Sequence, residues 1–234
     1  MLFREYLHPD FLDVVDNIYA QGFKLAVVGG TVRDYLLANS NKHDYDCELR
    51  PLENKNEKDL LESFKALSFG PKWEREELPF NVTRLSNGHF TVELSLARME
   101  QYSAEFSHSN FKVVHSQKID HRQGVLRRDF TINSMMYEFD KSWSFIDPLD
   151  GKNDLENKVL RACSSDFQKD PVRYLRAIRF HILLDFELPK EITSKAQNLR
   201  REDFNPQYLR YEATKSGRPL VYFFKFLSLL NIEY

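Results

Sequence analysis

Apolar positions along this chain follow two different periods, and the changes between them mark out its elements. Leu25-Ala26-Val27-Val28 is a short unbroken apolar run that predicts a buried strand. Gly29-Gly30 after it lets the chain turn sharply, because neither residue carries a Cβ. A short helix is expected from there, with Thr31 as its cap, Asp34 at the capping-box position, and Val32, Leu36 and Leu37 facing inward. Upstream, Phe11, Leu12, Val15 and Ile18 recur at three- and four-residue steps behind Asp10 and predict a helix over 9–21. Downstream, 51–58 is polar and reads as a loop, whereas 59–67 carries Leu60, Leu61, Phe64 and Leu67 on one side of a short helix. Over 81–96 the period drops to two. Two alternating runs meet at Asn87-Gly88, which predicts a hairpin with a two-residue turn. In the second run Phe90, Val92, Leu94 and Leu96 point one way, and Thr91, Glu93 and Ser95 the other. Another strand is predicted at 143–146. From Asp170 the pattern is helical, with Pro171 at the first position and Val172, Leu175, Ile178, Ile182 and Leu183 as the apolar stripe. Turns near Pro189, Asn205-Pro206 and Gly217 break the helical remainder, which runs to Tyr234.

Chemistry gathers around the glycine turn. Free N–H groups at the helix start form a cavity suited to a phosphate, and Arg33 adds a charged fork. Asp44 and Asp46 follow on an expected strand, where residues two apart share a face with Cα atoms about 6.6 Å apart. Carboxylates so close repel unless a cation lies between them. Mg²⁺ takes hard oxygen ligands and commonly pairs one or two carboxylates with substrate phosphates. Alone, Asp-x-Asp fits a solvated turn equally well, and Glu93 is open to two readings: a third carboxylate beside this pair, or simple solvent exposure. Arg98 and Tyr102 suit either a phosphate contact or closure of the sheet.

Two later stretches carry charge in patterns of interest. In 127–133, RRDFTIN, a pair of arginines can neutralise a triphosphate, and Asp129 with Asn133 can hydrogen-bond a ribose. The same run also fits a salt-bridged helix start. Arg173, Arg176 and Arg179 recur every third residue behind Asp170. They suit a solvated basic face behind an N-cap, or a device in which Asp170 and Arg173 read a nucleobase edge while Arg176 and Arg179 hold phosphates.

Composition narrows the setting. The formal charge is −2, so a nucleic acid would have to be held by a local patch, and 161–218 supplies a mild one with 12 basic against 8 acidic residues, 12 − 8 = +4. Cys47 and Cys163 stand far apart without metal-ligand spacing, which suits reduced thiols in the cytoplasm. The start of the chain lacks a signal-peptide core and no apolar run approaches a membrane span, so a cytoplasmic protein with no membrane partner is expected.

Val28-Gly29-Gly30-Thr31-Val32-Arg33-Asp34 followed by Asp44-Tyr45-Asp46 resembles the signature of the class II tRNA nucleotidyltransferase (CCA-adding enzyme) and bacterial poly(A) polymerase family. VELSLAR, RRDFTIN and DPVRYLRAIRF continue the resemblance in the family's order, from about Leu25 to Phe186. It implies an α+β fold: a nucleotidyltransferase head with a mixed sheet and flanking helices at 1–150, then an all-helical neck at 151–234 that binds nucleotide base and RNA. It implies that Asp44 and Asp46 hold catalytic Mg²⁺ with Glu93 as third carboxylate. Gly29, Gly30 and Arg33 would contact the incoming nucleotide, and Arg128, Asp129 and Asn133 its phosphate and ribose. Asp170 and Arg173 would select the base, supported by Arg176 and Arg179. The implied activity is template-independent addition of nucleotides from ATP and CTP to RNA 3′ ends, tRNA above all. Adenylate tailing, or transfer to a protein or small molecule, is the alternative. Three departures from the pattern stand out: Lys169 where the family has an acid, Gln123-Gly124 where it is acidic, and an end near the close of the neck, without the family's body and tail. A separate RNA-binding partner, or a homo-oligomer through Phe223 to Leu230, would make up for the last.

Overall fold

The computed structural model describes residues 1–40, 44–102 and 111–230; residues 231–234, into which the predicted helical region runs, lie outside them. The chain divides into two compact units. The first comprises Met1–Met99, Val113–Val125 and Asn133–Leu149, and the second Glu100–Lys112, Leu126–Ile132 and Asp150–Tyr234.

In chain order the elements are α1 (Phe3–Tyr6), α2 (Pro9–Ala20), β1 (Phe23–Val28), α3 (Gly30–Leu36), β2 (Asp44–Pro51), α4 (Glu57–Lys65), β3 (Glu74–Leu78), β4 (Val82–Ser86) and β5 (Thr91–Leu96). Then come β6 (Arg98–Tyr102), β7 (Phe111–His115), α5 (His121–Val125), β8 (Met136–Asp140), β9 (Ser142–Ile146), α6 (Gly151–Glu156), α7 (Pro171–Leu184), α8 (Lys190–Ala196), α9 (Pro206–Lys215) and α10 (Pro219–Leu229). Seven strands form one sheet in the order β3-β4-β5-β2-β1-β8-β9, and β6 with β7 forms a small second one. All named pairings in the large sheet are antiparallel except β2 with β5, which makes it the expected mixed sheet.

The two faces of the large sheet differ. Tyr45, Cys47 and Leu49 of β2 are buried on one face, level with Val92, Leu94 and Leu96 of β5. Helix α2 covers this side: Phe11 stacks on Tyr45 with ring centroids 3.8 Å apart, and the Tyr45 hydroxyl accepts the His8 N–H at 2.9 Å. His8 caps α2 through its ring nitrogen, whereas Asp10, expected ahead of the helix, lies in its first turn. The other face is polar. On it Glu48 of β2 and Glu138 of β8 flank Ala26 of β1. Glu48 is buried and held by Arg50 at 2.8 Å, and Glu138 meets His121 of α5 at 3.0 Å.

The hairpin of β4 and β5 forms, but its turn is longer than predicted. Ser86 is level with Thr91, leaving a four-residue loop in which the Asn87 side chain accepts the N–H groups of His89 and Phe90. The amide satisfies donors that a two-residue turn would have placed in the ladder. β3, with the sequence EREEL, was invisible to the apolar pattern because almost every residue is charged and exposed.

In the second unit, α7 is the buried axis. Phe180 packs edge-on to Phe130, and Phe167 stands against both Phe130 and Tyr174. Tyr222 of α10 donates to the Leu175 carbonyl at 3.0 Å. On the outside of α10, Leu220 and Phe224 remain exposed, while Tyr222, Phe226 and Leu229 are buried.

Burial alone would raise the Glu138 carboxyl, but the hydrogen bond from His121, with Lys24 and Arg50 nearby, outweighs it and holds the group below the usual 4.5. A carboxyl lowered by folding adds stability above its unfolded value and gives it up as pH falls through the folded one. Glu138→Gln is therefore expected to reduce stability at neutral pH and to flatten the loss of stability on the acid side of 4.5. Thermal midpoints across an acid-to-neutral series check this.

Candidate active site

The first unit holds the glycine turn and the carboxylates. β1 ends at Val28, and Gly29 follows with φ 75°, a conformation that a residue with a Cβ rarely adopts. Gly29 is the N-cap of α3, and no side chain caps this helix. The Thr31 hydroxyl instead donates to the main-chain carbonyl of Asp44 at 2.8 Å, tying α3 to the first residue of β2. Asp34, expected in a capping box, accepts from Arg33 at 2.8 and 3.0 Å. The remaining arm of Arg33 donates to the Asn133 Oδ1 at 2.7 Å, so two predicted site residues 100 positions apart are in contact.

On β2 the alternation is as expected: Asp44 and Asp46 are exposed and Tyr45 between them is buried. The parallel pairing with β5 sets Asp44 level with Thr91 and Asp46 level with Glu93. Thr91 donates to the Asp44 carboxylate at 3.1 Å. Glu93 is on the same face, but its carboxylate is taken by Arg84 of β4, at 2.8 and 3.1 Å. This hydrogen bond raises the Arg84 pKa further. Among the described residues no group of three His, Cys, Asp or Glu side chains is close enough to hold a metal. The expected convergence of three carboxylates is thus not formed: Asp44 and Asp46 share an open face, and Glu93 stands beside them on its arginine. Two exposed carboxylates on one strand, open to solvent and to further oxygen ligands, fit Mg²⁺, which keeps several waters and takes substrate phosphate oxygens.

The second unit holds the remaining predicted residues. Asp129 is buried, with one carboxylate oxygen accepting the Phe130 N–H at 2.7 Å and the other facing Arg176 Nε at 2.6 Å. Arg128 is half-buried and has no carboxylate partner among the described residues. Asp170 caps α7 by accepting the Val172 N–H at 2.9 Å, with Arg173 Nε 3.8 Å from its other oxygen. Arg173 is buried and donates to the Tyr102 hydroxyl and the Arg127 carbonyl at 2.8 and 2.7 Å. Lys169 pairs with Asp166 at 2.8 Å. The arginines of α7 do not form a solvated face. Arg179 in particular is buried 3.0 Å from the buried Glu212 of α9, which commits it to helix packing and removes it from the phosphate-holding set.

Residues 25–161 match the poly(A) polymerase head domain. The chain belongs to that family. It is 32% identical to a CCA-adding enzyme of Streptococcus mutans over 184 residues, 77% of this chain and 42% of that one. A multifunctional CCA protein of Acinetobacter baumannii is 34% identical over 155 residues, 66% of this chain and 33% of its own length. Among solved structures, an apo form of a CCA-adding enzyme superposes with a TM-score of 0.71 at 26% identity, covering 97% of this chain and 54% of that one. The Thermotoga maritima CCA-adding enzyme complexed with tRNA gives 0.68 at 24% identity, over 98% and 53%, a likeness of fold. The chain therefore spans less than half the length of these two curated relatives and about half that of the solved ones.

Thr31, Thr91 and Arg84 are site neighbours that the sequence reading missed. Arg84 was within reach: a four-residue loop sets it level with Glu93, whereas the predicted two-residue turn would have put Val82 there. Removing one member of a buried ion pair strands the other. Arg179→Met is accordingly expected to lower the unfolding free energy by about 3–5 kcal/mol, and adding Glu212→Gln to recover most of it, as read by urea denaturation.

Proposed function

We propose that this chain is the nucleotidyl-transferring part of an RNA 3′-end polymerase of the CCA-adding type, Mg²⁺-dependent and template-independent, using CTP and ATP. One observation carries the reading: Asp44 and Asp46 stand exposed on one strand at the end of a glycine turn, with Glu93 level with Asp46 on the neighbouring parallel strand. Membership of the poly(A) polymerase head family and likeness to CCA-adding enzymes support this reading. The head, at 1–150, is the catalytic domain in this proposal, and the helical neck, at 151–234, binds base and RNA.

Asp44 and Asp46 would hold the divalent cations. Mg²⁺ bound there supplies charge that eases formation of the attacking alkoxide and departure of pyrophosphate. The 3′ hydroxyl of the RNA attacks the α-phosphate of the triphosphate in line, forming a new phosphodiester and breaking the α–β bond. Thr31 and Thr91 keep Asp44 in place through its carbonyl and its carboxylate. Gly29 and Gly30 leave the turn open to the nucleotide, and Arg33, braced by Asp34 and Asn133, offers positive charge beside it. Arg128 is available to a phosphate, Asp129 and Arg176 act as a braced pair, and in the neck Asp170 with Arg173 selects the base. Of the predicted set, Arg179 drops out to helix packing, and Glu93 stands beside the pair on Arg84.

Asp44 and Asp46 are exposed, so substitution costs little folding energy. Asp46→Asn is expected to cut nucleotide incorporation well beyond the ~10–100-fold that outer partners of a metal site command, with an unchanged circular dichroism spectrum. Incubating the chain with a tRNA lacking its 3′ CCA, and with each triphosphate alone and in combination, then sequencing the ends, tests the reading. Retained incorporation in Asp46→Asn removes the metal assignment, and tails of adenylate alone point to the poly(A) type.

A further inference from the structure

Among the described residues the large sheet ends in two edge strands, and their sequences differ in kind. At one end β3 reads EREEL, three acids and an arginine, the kind of charged strand that resists pairing with another sheet. At the other, β9 reads SWSFI and carries no charge at all. β9 pairs with β8 on one side, and among the described residues 142–146 make no backbone hydrogen bond to any other element. Half of its backbone donors and acceptors therefore face outward. Ser144 and Phe145 are exposed, the latter at 37%.

The strand is complementary to its own reverse. Antiparallel pairing of two copies about a two-fold axis through Ser144 sets Trp143 of each copy level with Phe145 of the other, on one face, giving two cross-strand aromatic pairs. Ser142 comes level with Ile146. The receiving face is already aromatic. Trp143 packs against Phe3 and Phe139, Phe145 against Tyr137, and Trp143 also lines a cavity of about 600 Å³ together with Phe3, Tyr35 and Tyr137. We propose that β9 is a self-association edge, where a second copy of this chain adds antiparallel and extends the sheet across both molecules.

Sedimentation velocity over a dilution series of the 234-residue chain is expected to give a species of twice the 27.8 kDa chain mass that dissociates on dilution. Because the axis passes through Ser144, Ser144→Lys and Ser144→Glu each set like charges against themselves and should both sediment as monomers. An equimolar mixture of the two variants should restore the doubled mass, since lysine then meets glutamate, and this also establishes that both variants are folded. A wild-type chain that stays monomeric overturns the proposal, leaving the edge to a peptide from another protein. A dimer that survives either charge variant, or a mixture that stays monomeric, overturns it as well.

Discussion

The parallel pairing of β2 with β5 is the constraint on which the candidate site rests. Every other named pairing in the large sheet is antiparallel. Because β2 and β5 run the same way, the strand that carries Asp44 and Asp46 meets the polar face of the hairpin with Glu93 alongside Asp46. An antiparallel arrangement would reverse that order and send Glu93 elsewhere along the sheet. The glycine turn then matters because it ends the strand adjacent to β2 on its other side, and Val28, the last residue of β1, lies level with Asp46.

Much of this was legible in the residues, and what was not has physical causes. Asp44-Tyr45-Asp46 fitted a strand with both acids on one face, and Phe11, Leu12, Val15 and Ile18 at helical spacing announced α2. β3 was hidden because an edge strand exposed on both sides needs no apolar alternation. The hairpin loop was misjudged because Asn87 can serve two kinds of turn, and only its accepted hydrogen bonds distinguish them. Thr31 looked like a cap because it follows glycines at a helix start, yet its hydroxyl had a partner across the loop, in a strand that sequence spacing alone could not bring near.

The arginines of α7 carry a separate lesson. Spacing every third residue assigns them to neighbouring turns but says nothing of what packs there. Arg173 and Arg179 are both inside, one among the Tyr102 hydroxyl and the Arg127 carbonyl, the other against Glu212, while Arg176 meets Asp129. A guanidinium inside a fold survives when its donors find fixed acceptors. Here those acceptors come from segments far apart in sequence, so the basic stripe serves partly as a clamp that gathers the second unit around its central helix.

Tyr45 sits between the two exposed aspartates with its ring stacked beneath Phe11. A slip of one residue in β2 would turn the strand over, driving both acids into the oily interior and lifting the aromatic into water. Misfolding and loss of chemistry thus share a single failure. A molecule of this kind that attains its compact form has, by that fact alone, its acids facing outward.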